Sequence, residues 1–332
     1  MKKYQIYILA ILIAFAVSCS NSTEPKYTEA FTDTWGEITS DNPKTFAASD
    51  VSQATIDLTL KWLKTASDAW GNYGPLEIWF VGDSHDATIE LDNLWCNTRQ
   101  QIDPKWNTEW DCANGDPYGS GSGWSPFYRY VDDGGAAVAT YRRDYFDYYF
   151  LTITMSAKYP SPSETDYIPV TMHEYFHVYQ HSHIMDIEQN GDKTPREMKN
   201  GGSQKPWFSE GGAEYMAQLL YSKQDGVESG YLKERMTRKF DSVSDYKSHG
   251  VRLDALTYDS PVSTYDVGAW FIAYLIHNEG EETFRVDFYK DLNDLGFEGS
   301  FLKHFGKSTN EYVDAFDLFL DTGLEEALII IP

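Results

Sequence analysis

Three observations predict an α+β fold of two lobes. Strand signals fall in the first half: residues 76–81 alternate, and residues 145–157 are aromatic and β-branched, with Tyr148, Tyr149, Phe150, Leu151, Thr152, Ile153 and Thr154 in one run. Helical periodicity dominates the second half. Between them lies His173-Glu174-Tyr175-Phe176-His177 in a helical stretch, where residues i and i+4 project from nearly the same face. The expected architecture is a small mixed sheet, a central helix carrying the two histidines, and a mainly helical C-terminal lobe, with a cleft along the central helix.

In chain order, residues 1–18 read as a secretory signal. Lys2 and Lys3 precede an apolar run, Ile6 to Val17, that is too short to span a bilayer comfortably. Residues 19–45 are polar and read as a flexible tether. The folded domain is placed at 46–332, with an N-terminal lobe over 46–183 and a helical lobe over 184–332. A helix is expected over 50–68, with Asp50 as its N-cap and Ile56, Leu60 and Leu63 at helical spacing. A second helix is expected over 84–100, and the Gly, Ser and Pro of 113–124 predict a loop. Pro160 and Pro162 end the second strand. The helix bearing the histidines starts near Pro169, a residue tolerated in a first turn, and runs to about His183. Further helices are expected over 208–223, 226–240, 264–278, 281–290 and 309–320.

Composition narrows the function classes. Hydrophobic residues make up 42% of the chain, enough for a sizeable core, and 51 acidic against 27 basic residues leave a net charge of −24. So acidic a surface argues against nucleic acid or an anionic membrane as a partner held through basic patches. Of the three cysteines, Cys96 and Cys112 lie sixteen residues apart. In an oxidising compartment they can form a disulfide contributing about 3 kcal/mol; two buried thiols are the alternative. Their spacing does not suit zinc.

The central pentapeptide carries chemistry. Two neutral imidazoles one turn apart can hold one Zn²⁺, and the intervening Glu174 can act as base toward a water whose pKa zinc lowers to about 7. A catalytic zinc needs a third protein ligand. His183 stands six residues after His177, as in H-E-x-x-H-x-x-G-x-x-H, but Gln180 replaces the glycine that would turn the chain back, and an uninterrupted helix points His183 away. Glu210 competes from the segment Trp207 to Tyr215, thirty-three residues after His177, with Glu214 one turn further on the same face.

With this second segment the chain resembles the gluzincin clan, zinc metallopeptidases that include thermolysin and the aminopeptidase-N-like enzymes. The match covers roughly 150–320. The resemblance implies a zincin-like two-lobed fold and hydrolysis of peptide bonds in peptides or proteins. It implies His173, His177 and Glu210 as zinc ligands, Glu174 as general base, and Glu214 as the carboxylate that fixes a ligand imidazole. Tyr265, in a Y-x-x-G-A segment at 265–269, matches the tyrosine that stabilises the oxyanion. The spacing from His177 to Glu210 exceeds that of the best-known members and suggests an insertion over 184–206. A G-x-M-E-N segment, which holds a substrate's free amino group in the aminopeptidases, is missing; Gly134 and Gly135 are a poor substitute, so an endopeptidase is expected rather than an aminopeptidase. Ala16-Val17-Ser18-Cys19 resembles a bacterial lipobox, which implies cleavage before Cys19, lipid on it, and anchoring at the cell envelope; an ordinary signal peptide is the alternative.

Weaker patterns remain. Asp186, Glu188, Asn190, Gly191, Asp192, Thr194 and Glu197 follow EF-hand-like spacing, with Glu188, Lys193 and Pro195 departing from it, so a polar loop is expected rather than a Ca²⁺ site. His181 shares the face of the metal histidines. The 10 Trp and 24 Tyr can line a glycan or peptide groove, although they are scattered. The strand at 150–157 can bind an extended peptide by β-addition or lie in the sheet interior. The competing function is an envelope-anchored binding protein for a glycan or protein that keeps the fold without turnover.

Overall fold

The computed structural model describes residues 37–102, 106, 108, 112, 125–143, 148–184 and 205–332. The signal segment, Cys19, the loop at 113–124 and the EF-hand-like stretch at 186–197 lie outside the described residues.

Four strands form one mixed sheet in an α+β fold. In chain order they are β1 (Lys44–Ala47), β2 (Leu76–Val81), β3 (Ala136–Arg143) and β4 (Tyr148–Ser156), and they lie in the spatial order β1-β2-β4-β3. β1 and β4 flank β2 in parallel, and β3 runs antiparallel to β4 with Val138 opposite Ile153. β2 is buried along its whole length because helices cover both faces of the sheet. Its alternation divides two cores: Ile78 and Phe80, with Leu151 and Ile153 of β4, face one, while Trp79, Val81 and Phe150 face the other. β4 is therefore an interior strand, and the sheet edge on that side is β3. β3 gave no strong signal because its first half is Ala136, Ala137, Val138, Ala139, with little β-propensity.

The second face is closed by α2 (His85–Ile102) and α3 (Tyr128–Asp132). Trp95 and Phe127 stand 5.1 Å from the Trp79 ring. Cys96 and Cys112 are joined by a disulfide, with 5.5 Å between their Cα atoms. A buried ion pair, Arg99 to Glu77 at 2.5 Å, lies on this face; Trp79 Nε1 also donates to Glu77 at 3.0 Å, so the buried carboxylate is compensated twice.

The first face carries α1 (Gln53–Trp70) and α4 (Tyr167–Ser182). Ser52 caps α1, its Oγ accepting the Thr55 N–H. Asp50, expected as the cap, lies two residues too early; its carboxylate accepts the N–H groups of Asp83 and Ser84 at 2.8 Å each and braces the turn after β2. α4 contains the histidine pair and has Pro169 in its first turn. It is tied to α1 by Thr59 Oγ1 and the Tyr167 hydroxyl at 2.6 Å. Residues 38–45, placed in the tether from sequence, are held on the body: Ile38 bridges to Tyr73, Thr39 N–H donates to Asn72 O at 2.8 Å, and β1 starts at Lys44.

The described residues from 205 onward are mainly helical: α5 (Pro206–Ser222), α6 (Tyr231–His249), α7 (Thr264–Glu279), α8 (Leu292–Phe305) and α9 (Thr309–Leu320). α6 starts after Gly230 and runs to Gly250, whose left-handed conformation (φ 63°) stops it, so it is longer than the 226–240 expected. The helix expected over 281–290 is a π-turn, Thr283–Asp287, followed by one turn, Phe288–Lys290. α8 was not expected because Gly296 and Gly299 interrupt its pattern, and Gly296 does break the helix (φ 68°). Among the described residues no helix is long and apolar enough to cross a membrane.

One crossing sets the site. α5 and α7 meet backbone to backbone at Gly211 and Gly268. A Cβ on Gly211 would lie 2.3 Å from the Gly268 carbonyl carbon, and one on Gly268 would lie 2.2 Å from Trp207 O. At Gly212 the contacts are side chains instead: Gln180 and Phe176 of α4 and Phe284 would lie 3.2–3.6 Å from a Cβ there. Gly211 and Gly268 thus let α5 and α7 meet closely, and with α4 beside them His173, His177, Glu210 and Tyr265 come to line one cleft.

Candidate metal centre

α4 presents His173 and His177 on one face, and α5 places Glu210 opposite them. Three ligand atoms converge: His173 Nε2 and His177 Nε2 are 3.1 Å apart, and Glu210 Oε2 lies 3.2 Å and 3.0 Å from them. The edges of a tetrahedron around zinc with bonds of about 2.0–2.1 Å are about 3.3–3.4 Å long. Two imidazole nitrogens and one carboxylate oxygen therefore form a triangle close to three corners of such a site. The fourth side opens into a cleft of about 990 Å³ whose walls include Ala136, Val138, Tyr258 and Tyr265. Donor set, spacing and open side all fit a metal ion.

Each ligand is oriented from behind. Glu214 Oε2 lies 3.2 Å from His173 Nδ1. Gln180 Oε1 lies 2.7 Å from His177 Nδ1. In each case the acceptor fixes a proton on Nδ1, so that the imidazole, once it gives up its second proton, would offer the Nε2 lone pair to a metal at the centre. Gln180, which the sequence offered only as the missing glycine turn, is itself fixed by donating to Ser209 O at 3.0 Å and to the Tyr289 hydroxyl at 3.1 Å. The Tyr258 hydroxyl donates to Glu210 Oε1 at 2.5 Å, leaving Oε2 as the inward oxygen.

The electrostatics favour a cation. Burial alone would lower the pKa of His173, but its bonds to Glu210 and Glu214 outweigh that and push it up to about 10. His177 is also raised, since Glu210 outweighs burial. Glu210 is held well below the ordinary carboxylate range: burial opposes ionisation, and His177 and His173 overcome it. Glu174 behaves differently. Burial raises its pKa more than the two histidines lower it. It is buried, lies in the cleft wall, and its Oε2 has no hydrogen-bond partner. A buried, unpaired carboxylate costs free energy unless something arrives to use it.

Tyr265, at the start of α7, stacks near His173 with 6.0 Å between ring centroids and 26° between planes. Burial first, then Glu210, raise its pKa, so its hydroxyl stays a donor. His183 is not in the group: its Nδ1 lies 2.7 Å from Tyr179 O and its ring packs on Tyr179 and Tyr73. His181 lines the cleft, its ring 6.5 Å from that of His177.

The sequence reading missed Tyr258 and the bond from Gln180 to His177. The latter was accessible, since position i+3 on a helix is a neighbour; Tyr258 sits in a turn with no periodic pattern. A buried group of His173, His177 and Glu210 able to hold a metal ion is thus the chemical feature of this chain. Compared with protein-family models, with curated proteins and with solved structures, the chain shows no match.

Proposed function

We propose that the protein is a zinc-dependent peptidase of the gluzincin type, with a two-lobed zincin-like fold, carried at a bacterial cell envelope by lipid on Cys19. The observation that carries this reading is the convergence of His173, His177 and Glu210 beside the unpartnered, buried carboxylate of Glu174. A metal site alone needs no such carboxylate, whereas hydrolysis needs a base.

Bound to His173, His177 and Glu210, zinc would supply a Lewis acid that polarises the scissile carbonyl and makes water acidic near neutral pH. Glu174, with its raised pKa, accepts the proton of the attacking water and returns it to the leaving amine. The Tyr265 hydroxyl donates to the developing oxyanion; the Tyr258 hydroxyl is already engaged by Glu210. Substrate binding falls to the β3 edge. Ser156 N–H donates to Gly135 O, so antiparallel alternation turns the N–H and C=O of Ala136 and Val138 away from β4, and both residues line the cleft. An extended peptide can add to that edge along its length, which suits internal cleavage.

Metal analysis and a peptide-library digest test the reading together. The purified ectodomain is expected to hold about one zinc per chain and to cleave peptides, and Glu210→Gln to lose both properties. Zinc bound with no cleavage of any peptide would favour a binding protein instead.

A further inference from the structure

A buried cation behind the site is used by none of the steps above. Lys239, on α6, is nearly enclosed, its side chain 12% exposed. Its Nζ lies 2.8 Å from Glu214 Oε1 and 2.8 Å from Asp266 Oδ1. Glu214 is the carboxylate behind His173, with Oε2 toward the imidazole and Oε1 toward Lys239 and Gln218. Asp266 follows Tyr265 directly in the first turn of α7, where its N–H donates to the Ser263 Oγ. Ser242, one turn beyond Lys239 on α6, donates to Asp266 Oδ2 at 2.8 Å. Two side chains of α6 therefore grip the residue next to Tyr265, and one of them also grips the support of His173.

We propose that Lys239 is a positioning residue that sets two parts of the site at once: it holds Glu214 against His173, and through Asp266 it holds Tyr265 over the cleft. The physical case is charge and geometry. Glu214 and Asp266 are brought to the same nitrogen, and without the ammonium two carboxylates would face each other with no counter-charge between them, so that one must take up a proton or move away, and either change loosens its hold on its neighbours. Movement of Glu214 releases the His173 ring. Movement of Asp266 shifts the first turn of α7 and with it the Tyr265 hydroxyl. A single replacement should therefore damage metal affinity and the chemical step together, although Lys239 touches neither metal nor substrate. This rests on the zinc-peptidase reading.

The test uses zinc alone, titrated into metal-free protein against a chelator, and the peptide cleaved by the wild type. Lys239→Met should weaken zinc binding and lower kcat, each by about 10- to 100-fold, with KM little changed. Lys239→Arg, which keeps the charge, should recover most of both. Ser242→Ala, which loosens only the Asp266 arm, should lower kcat by roughly 10-fold at unchanged zinc affinity. Wild-type zinc affinity in Lys239→Met, or an arginine variant no better than the methionine one, would overturn the proposal while leaving the peptidase reading intact. If Lys239→Met does not fold, Ser242→Ala decides: an unchanged kcat overturns the proposal. A wild type that binds no zinc overturns the peptidase reading and this one with it.

Discussion

Tyr265 and Asp92 give residue-scale tests of opposite kinds, one of chemistry and one of stability. Tyr265→Phe keeps the ring near His173 and removes only the donor, so kcat should fall about 100- to 1,000-fold with KM nearly unchanged, read from steady-state kinetics on a cleaved peptide. Asp92 is buried, accepts one bond from Ser125 Oγ at 2.7 Å, and leaves Oδ2 unpartnered; burial, only partly offset by Ser125, raises its pKa to about 7. An acid raised on folding stabilises the fold fully below its unfolded value, near 4, and that contribution is lost as pH rises through about 7. The displacement of about three units corresponds to roughly 4 kcal/mol. Asp92→Asn keeps the shape and should melt above the wild type at pH 8, with the difference vanishing toward pH 4; parallel Tm–pH curves would contradict the assignment. At this scale the sequence was legible where function follows helix geometry: His173, His177, Glu210 and Glu214 are pairs one turn apart. It was not legible at Tyr258, whose partner Glu210 is 48 residues away and is brought near only by tertiary packing.

At the α5–α7 crossing the two helices are brought together by glycines, with Trp207 packed edge-on against Phe271 at 5.2 Å beside them. Gly211→Ala would place a methyl inside the backbone of α7, so the helices must separate. The expected cost is at least about 1–3 kcal/mol by denaturant unfolding, and activity should fall further than stability explains, because Glu210 and Tyr265 ride on the two separated helices. An alanine variant as stable and active as the wild type would show that the crossing is looser than described. Of the long helices, α1 and α9 were readable because each buries one stripe, whereas α4, α5 and α7 are buried on most sides and were marked by their length and apolar content. α8 and β3 were not, since Gly296 and Gly299 break the one pattern and a run of small residues flattens the other. Sheet order was likewise closed to local reasoning: 148–156 carries the strongest strand signal because it is interior, and the cleft received the weaker strand at the edge.

For the whole molecule, the sheet stands between two hydrophobic cores, and the helical half brings Glu210 and Tyr265 to the cleft beside β3, with Lys239 behind them. The central claim is that this arrangement hydrolyses peptides with Glu174 as the base. A peptide-library digest run side by side with zinc-loaded wild type and Glu174→Gln tests it most directly. The account predicts cleavage by the wild type and a loss of at least about 100-fold in the variant at equal zinc content. Equal cleavage by both proteins would contradict it.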